Sequence, residues 1–181
     1  MTRLLETANL PYMVVGAHAV MVHGEPRFSH DLDVVISLRP ADRDRVREAL
    51  EGTELTSWHW AEDPPWGRRF RCFDRDGILV ELFLTGGSAW HEREFERRVK
   101  RIVRGTPTWF LSPEDLVLRK LVNCRLRKSM DFDDAISVIR VQGAQLDHDY
   151  VRRHCAVHRV CGLFERAVQE AHRTPPGDAS S

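Results

Sequence analysis

The sequence predicts an α/β (α+β) protein, a mixed twisted sheet flanked by helices and followed by a C-terminal helical bundle. Three observations carry this. Apolar β-type runs and helical patterns are interleaved over the first 110 residues, an Asp-Gly turn joins two β-rich runs in "RRFRCFDRDGILVELFL", and from Ser112 onward only helical patterns occur. The chain therefore divides into a core over 1–110, a helical bundle over 111–172 and a polar Pro/Gly/Ser tail over 173–181 that is expected to be disordered.

Taken in order, "YMVV" (12–15) is a short apolar strand ending at Gly16, and "AHAVMVHG" (17–24) is a short helix stopped by Gly24. "DLDVVIS" (31–37) reads as a second strand, and "RPADRDRVREALEG" (39–52) as an exposed charged helix closed by Gly52. The hairpin pairs 68–73 with 78–84, and a further short pair is expected at 101–103 and 108–110 around "RGTP". Ser112 followed by Asp115, with Pro113 at the first helical position, opens the helical part. Helices are expected over 113–127, 131–141, 148–159 and 161–171.

With 181 residues the chain suits one core, or a core with a small helical partner. The 27 basic and 27 acidic residues cancel, which excludes a chain that coats polyanions through its global field and leaves any nucleic acid to a local patch. Cys72, Cys124, Cys155 and Cys161 form no CxxC pair and no secreted framework, so they are expected as reduced thiols in a cytoplasmic protein. No apolar run approaches the ~20 residues of a membrane helix, and the start is not a signal-peptide core.

Asp31 and Asp33 stand one residue apart at the mouth of an apolar strand. At i and i+2 they share a face, roughly 6.5–7 Å apart along the strand. Two like charges so placed are reconciled by a divalent cation, because Mg²⁺ takes hard oxygen ligands. Glu81 lies in "ILVELFL", apolar on both faces and so expected as a central, doubly covered strand, where a carboxylate is costly unless paired or metal-bound. Three such carboxylates suit a two-ion site for phosphoryl-type displacement. The alternative is structural: Asp31 caps a loop, Asp33 pairs with Arg27 or Arg68, and Glu81 answers Arg69 or Arg71. Gly16, between strand and helix, leaves backbone N–H groups pointing outward at a positive helix end, which suits a nucleotide phosphate.

The stretch "VVGAHAVMVHGEPRFSHDLDVVI" resembles the signature of the polymerase β-like nucleotidyltransferases. Its pattern, Gly16, Ala19, Gly24, Arg27, Ser29, Asp31, Leu32 and Asp33, is similar to the small bacterial branch that includes abortive-infection (AbiE-type) toxins. "LSPEDLVLRKLVNCRLRKSMDFDDAISVI" resembles that branch's helical part, and the likeness spans about residues 8–142. The resemblance implies a nucleotidyltransferase fold and Mg²⁺-dependent transfer of a nucleoside monophosphate from an NTP. The implied acceptor is RNA, tRNA in particular, or a protein, in a toxin–antitoxin setting with an antitoxin partner; a small molecule such as an antibiotic is the second choice. It also implies that Gly16 and Ala17, with Arg27 and Ser29, bind the nucleotide, that Asp31, Asp33 and Glu81 hold the metals, and that Lys120 reaches a phosphate. Two departures stand out: Ala17 replaces Gly or Ser, and Glu81 replaces Asp. They favour the rival reading of a catalytically silent relative that binds nucleotide or a partner.

Between Arg119 and Lys128 lie five basic residues, Arg119, Lys120, Arg125, Arg127 and Lys128, and no acid. Lys120 falls on or beside the inward stripe with Val117, Leu121 and Cys124, and Asp131 and Asp134 are placed to orient it or an arginine. His154, His158 and Cys161 have metal-ligand order on a continuous helix, against the plainer reading of ordinary helix histidines. His18 and His23 flank the proposed site. Trp58, Trp60 and Trp66 form either a stacking wall or the cover of a sheet edge.

Overall fold

The computed structural model describes residues 1–63, 67–126 and 129–173. The expectations that fall on Trp66, Arg127 and Lys128, and on all of the tail beyond Arg173, lie outside the described residues. The predicted fold class holds: a seven-stranded mixed sheet and a helical C-terminal part. The elements form two compact units, one of residues 1–19 and 27–112, the other of 20–26 and 113–181.

The first unit begins with helix α1 (Thr2–Thr7), strand β1 (Tyr12–Val14) and helix α2 (Gly16–His23), whose second half belongs to the other unit. Strand β2 (Asp31–Ile36), a 3₁₀ turn and helix α3 (Arg43–Leu50) follow. Next come strands β3 (Thr56–Asp63), β4 (Gly67–Phe73) and β5 (Leu79–Leu84), helix α4 (Ala89–Glu96) and strands β6 (Val99–Val103) and β7 (Thr106–Phe110). The sheet order is β3-β4-β5-β2-β1-β7-β6. β2 runs parallel to β5 and antiparallel to β1, which in turn runs parallel to β7; the hairpins β3/β4, β4/β5 and β6/β7 are antiparallel.

The hairpin at "DRDG" forms because Asp74 Oδ1 accepts from the backbone N–H groups of Asp76 (2.9 Å) and Ile78 (2.8 Å), and Gly77 supplies the left-handed φ of +77°. β5 is central, as its sequence implies, but it is not doubly covered. Val80, Leu82 and Leu84 are buried, while Leu79, Glu81 and Phe83 are only half-buried. One face is core and the other partly open, so Glu81 escapes the full burial penalty. β2 closes along its length instead: Asp31, Leu32 and Asp33 are half-buried and Val34, Val35 and Ile36 fully buried. The site-bearing end of β2 is its open end.

β3, α1 and α4 add three elements to those that the sequence pattern predicts. In β3 the even positions pair with the core: Trp60 faces Phe70, which faces Leu82, which faces Val34, and the last three are buried. Trp58 and Trp60 meet Phe70 edge to face at 6.0 and 4.9 Å. They cover that face of the sheet and, by the pleat, lie opposite the Asp33 and Glu81 side chains, so they are not a stacking wall beside the carboxylates.

The second unit contains helices α5 (Pro113–Leu126), α6 (Ser129–Gln142), α7 (His148–His158) and α8 (Cys161–Ala171). The acids in the first turn of α5 tie it to the start of α7: Asp115 accepts from Tyr150 Oη at 2.6 Å and Glu114 from the Asp147 N–H at 3.2 Å. α7 stops at Arg159, which takes a left-handed φ of 57°, and Cys161 begins the next helix. The continuous helical face that a metal-ligand reading of His154, His158 and Cys161 requires therefore does not exist, and the two helices fall where the sequence separates them. Nor are all four cysteines thiols: Cys155 and Cys161 are joined as a disulfide across the α7–α8 turn, leaving Cys72 and Cys124 free. Burial pushes the Cys72 thiol up to about 11.

Gly24 sits against α6. A Cβ there would lie 2.5 Å from Ser137 Oγ and 3.0 Å from the Val138 nitrogen, and the same hydroxyl accepts from the Glu25 N–H at 2.6 Å. Gly24→Ala is expected to destabilise the chain by about 1–3 kcal/mol through overpacking, read as a lower urea midpoint at unchanged slope.

Candidate active site

Asp33 is fixed by the turn beside it. Gly16 has a φ of +60°, and a Cβ on it would stand 2.1 Å from Asp33 Oδ2, so only glycine admits both the turn and the carboxylate. The Val15 N–H donates to the Asp33 carbonyl at 2.9 Å, which carries the β1/β2 ladder up to the turn. In α2 the N–H of Ala19 donates to the Val15 carbonyl at 3.4 Å. The N–H groups of Gly16, Ala17 and His18 lie ahead of the first acceptor one turn back and form the positive end of the helix.

Asp31 is held from its own loop. Ser29 Oγ donates to Asp31 Oδ1 at 2.5 Å and lies 3.3 Å from the Asp31 carbonyl, so this serine, expected to meet the nucleotide, orients a carboxylate. Arg27 is half-buried and its Nη1 donates to the Phe28 carbonyl at 3.2 Å. His18 hydrogen-bonds the Asp31 backbone while its Nδ1 is buried without a partner. Burial holds the His18 imidazole below its ordinary pKa, with the nearby Arg27 charge acting the same way and Asp31 opposing both. His23 is buried in the second unit.

Glu81 pairs directly with Asp33 across β2/β5 and with Arg71 across β4/β5, so all three side chains stand on one face. Its Oε1 accepts from Arg69 Nε at 2.8 Å, and Arg71 Nε lies 3.0 Å from the same oxygen without hydrogen-bond geometry. Arg69 is buried under this contact, whereas Arg71 is 37% exposed. The row thus reads aspartate, glutamate, arginine, and the charge of Glu81 is already answered from the β4 side. This is the pairing named above as the structural alternative.

Among the described residues, no three His, Cys, Asp or Glu side chains gather closely enough to cage a metal ion. Asp31 and Asp33 are half-buried at the open end of β2, and their carboxylates are hard oxygen donors of the kind a divalent cation takes. In the second unit Lys120 is buried, with its Nζ 2.8 Å from both Asp131 Oδ1 and Asp134 Oδ2. Its ammonium is matched by two carboxylates. A cavity of about 490 Å³, lined by Tyr12, Arg45, Arg98 and Trp109 among others, lies at the other end of β1 from Gly16.

The arginines that hold Glu81 were visible in "RRFRCF", where alternation puts Arg69 and Arg71 on one face. His18 was visible only as a histidine near the glycine turn; its backbone contact to Asp31 depends on how the 24–30 loop returns.

Residues 1–160 match the family described as "Nucleotidyltransferase of unknown function (DUF6036)". No curated protein matches the chain. Among solved structures, the fold is similar to an antigenic nucleotidyltransferase-like protein from Paracoccidioides brasiliensis, at 18% identity and a TM-score of 0.56 over 93% of this chain and 88% of that one. It is also similar to ANT(2″)-Ia in complex with adenylyl-2″-tobramycin, at 14% identity and a TM-score of 0.59 over 87% of this chain and 91% of that one. The solution structure of the antibiotic-resistance factor ANT(2″)-Ia matches at 15% identity with a TM-score of 0.57, over 94% of this chain and 91% of that one. At these identities the likeness is one of fold.

Two outcomes follow from the geometry. Gly16→Ala is expected to cost at least about 1–2 kcal/mol for the left-handed backbone alone, before the collision with Asp33 is added, measured by urea unfolding. Burial lowers the His18 pKa in the folded chain, so the unfolded chain binds the proton more readily, and the stability this ring contributes is present above about pH 6.5 and lost as the pH falls below that value. Metal-free His18→Gln should show a shallower decline in unfolding free energy between pH 6.5 and 5 than the wild type.

Proposed function

The chain belongs to the DUF6036 family of nucleotidyltransferases, and on that premise we propose that it moves a nucleoside monophosphate from an NTP to an acceptor with the help of Mg²⁺. The observation that carries this is the placement of Asp31 and Asp33 on one strand face, with Asp33 against a glycine turn that opens a helix N-terminus. Gly16 and Ala17 would receive the phosphates on their N–H groups. Asp31 and Asp33 would hold the ion, oriented by Ser29 and by the Gly16 contact. When bound, that ion supplies charge neutralisation at the α-phosphate.

The acceptor oxygen forms a bond to the α-phosphorus, the bond from that phosphorus to the bridging oxygen breaks, pyrophosphate leaves, and the hydroxyl proton passes to a carboxylate or to water. With Glu81 Oε1 engaged by Arg69 and Arg71, we assign Glu81 to shaping the acceptor side and not to a second ion. This replaces the two-ion arrangement expected from the sequence. Lys120, neutralised by Asp131 and Asp134, is assigned to holding α5 against α6 and not to the leaving group.

For the acceptor we favour RNA over a polycationic antibiotic, because Arg71, on the strand next to Glu81, keeps a partly exposed guanidinium. A small-molecule acceptor is the second reading, supported by the likeness to an enzyme whose structure holds an adenylylated aminoglycoside. A toxin–antitoxin setting of the AbiE type, an antitoxin partner and a cytoplasmic location are proposed from the sequence resemblance alone. Among the described residues no helix is long and apolar enough to cross a membrane.

Incubating the protein with labelled NTPs, Mg²⁺ and either total RNA or an aminoglycoside tests the reading. Label is expected in RNA with the wild type and not with Asp31→Ala/Asp33→Ala, together with an NTP- and Mg²⁺-dependent rise in Tm that Asp33→Ala removes. Equal labelling by wild type and double variant would refute the catalytic assignment.

A further inference from the structure

The loop between α2 and β2 carries an aromatic pair that the carboxylate chemistry leaves unused. Phe28 is 76% exposed, in a segment that ends three residues later at Asp31. Its ring is braced: His30 meets it edge to face with centroids 4.5 Å apart, and Arg27 donates to the Phe28 carbonyl at 3.2 Å. Ser29, between the two rings, is bonded to Asp31 Oδ1. The loop that presents the rings is therefore tied to the strand that bears the aspartates. Three residues of chain span at most about 11 Å, which keeps the Phe28 ring within the length of a nucleotide from Asp31.

A single ring so exposed offers a face that a flat partner of similar size covers well. Its neighbours Arg27, Ser29 and His30 are polar, so the apolar area is far below that of a protein interface. The ring carries no charge, so it does not serve a phosphate. A nucleobase meets every condition, since each base has a π-face and stacks on aromatic side chains irrespective of its hydrogen-bonding edge.

We propose that Phe28, braced edge-on by His30, forms the stacking platform for the base of the bound nucleoside triphosphate. This rests on the nucleotidyl-transfer reading given above. The platform holds the base while the Gly16 turn receives the phosphates, and purine nucleotides bind more tightly than pyrimidine ones because they offer more stacked area.

Binding of ATP and of inorganic tripolyphosphate, each with Mg²⁺, is compared by calorimetry in the wild type, Phe28→Ala and Phe28→Trp. Tripolyphosphate has no base. The expected result is at least about fivefold weaker ATP binding in Phe28→Ala, the lower end of what base–aromatic stacking contributes, with tripolyphosphate unchanged and ATP affinity recovered in Phe28→Trp. ATP affinity within twofold of wild type in Phe28→Ala, or equal losses for ATP and tripolyphosphate, overturns the platform while leaving the transfer reading in place. Failure of the wild type to bind either compound overturns both.

Discussion

The missing side chain at position 16 is the constraint on which the site depends. A left-handed residue at the turn from β1 into α2, and a carboxylate that crowds the place its Cβ would take, leave glycine as the only solution. The Val15–Asp33 hydrogen bond fixes the register of β1 on β2, and that register brings the start of α2 to the aspartate. A slip of one residue would turn Asp31 and Asp33 to the other face and bring Leu32 out in their place. Steric exclusion and sheet register, more than any single attraction, place the helix end and the acids together.

Around that point the charges are arranged in graded company. Asp31 has a hydroxyl, Asp33 has the turn, and Glu81 has two guanidinium groups. Going from β2 across β5 to β4, the open face carries Asp33, Glu81 and Arg71 in register, with Glu81 answered from the β4 side.

What could be read from the sequence was whatever rests on local patterns. The hairpin at Asp74–Gly77, the strand at Asp31 and the four C-terminal helices each announce themselves through alternation, helical period, or a Gly or Pro at the required place. β3 did not, because its Trp-x-Trp alternation is short and is followed at once by Pro64-Pro65 in the sequence. α1 and α4 are six and eight residues long and have no side-chain cap. Burial on one face of β5 was also hidden, since Leu79 and Phe83 are apolar without being fully covered. The Cys155–Cys161 bridge needs the left-handed turn at Arg159 to bring the two together, and six residues of spacing give no hint of it. Asp31, Asp33 and Gly16 were legible as candidates because their spacing is itself the physical arrangement. The choice of Glu81's partners, and the pairing of Phe28 with His30, depend on tertiary placement that spacing does not encode.

The claim beneath all of this is that Asp31 and Asp33 together hold a divalent ion that a nucleotide completes. Titrating Mn²⁺ into the metal-free chain with a non-hydrolysable NTP analogue, and following the free-ion paramagnetic resonance signal, reads it without any assumption about the acceptor. Nucleotide-dependent uptake of a single ion per chain, lost in Asp31→Asn/Asp33→Asn while the variant keeps its folded circular dichroism spectrum, is the predicted result. Uptake that is the same in that variant, or absent from the wild type, would contradict it.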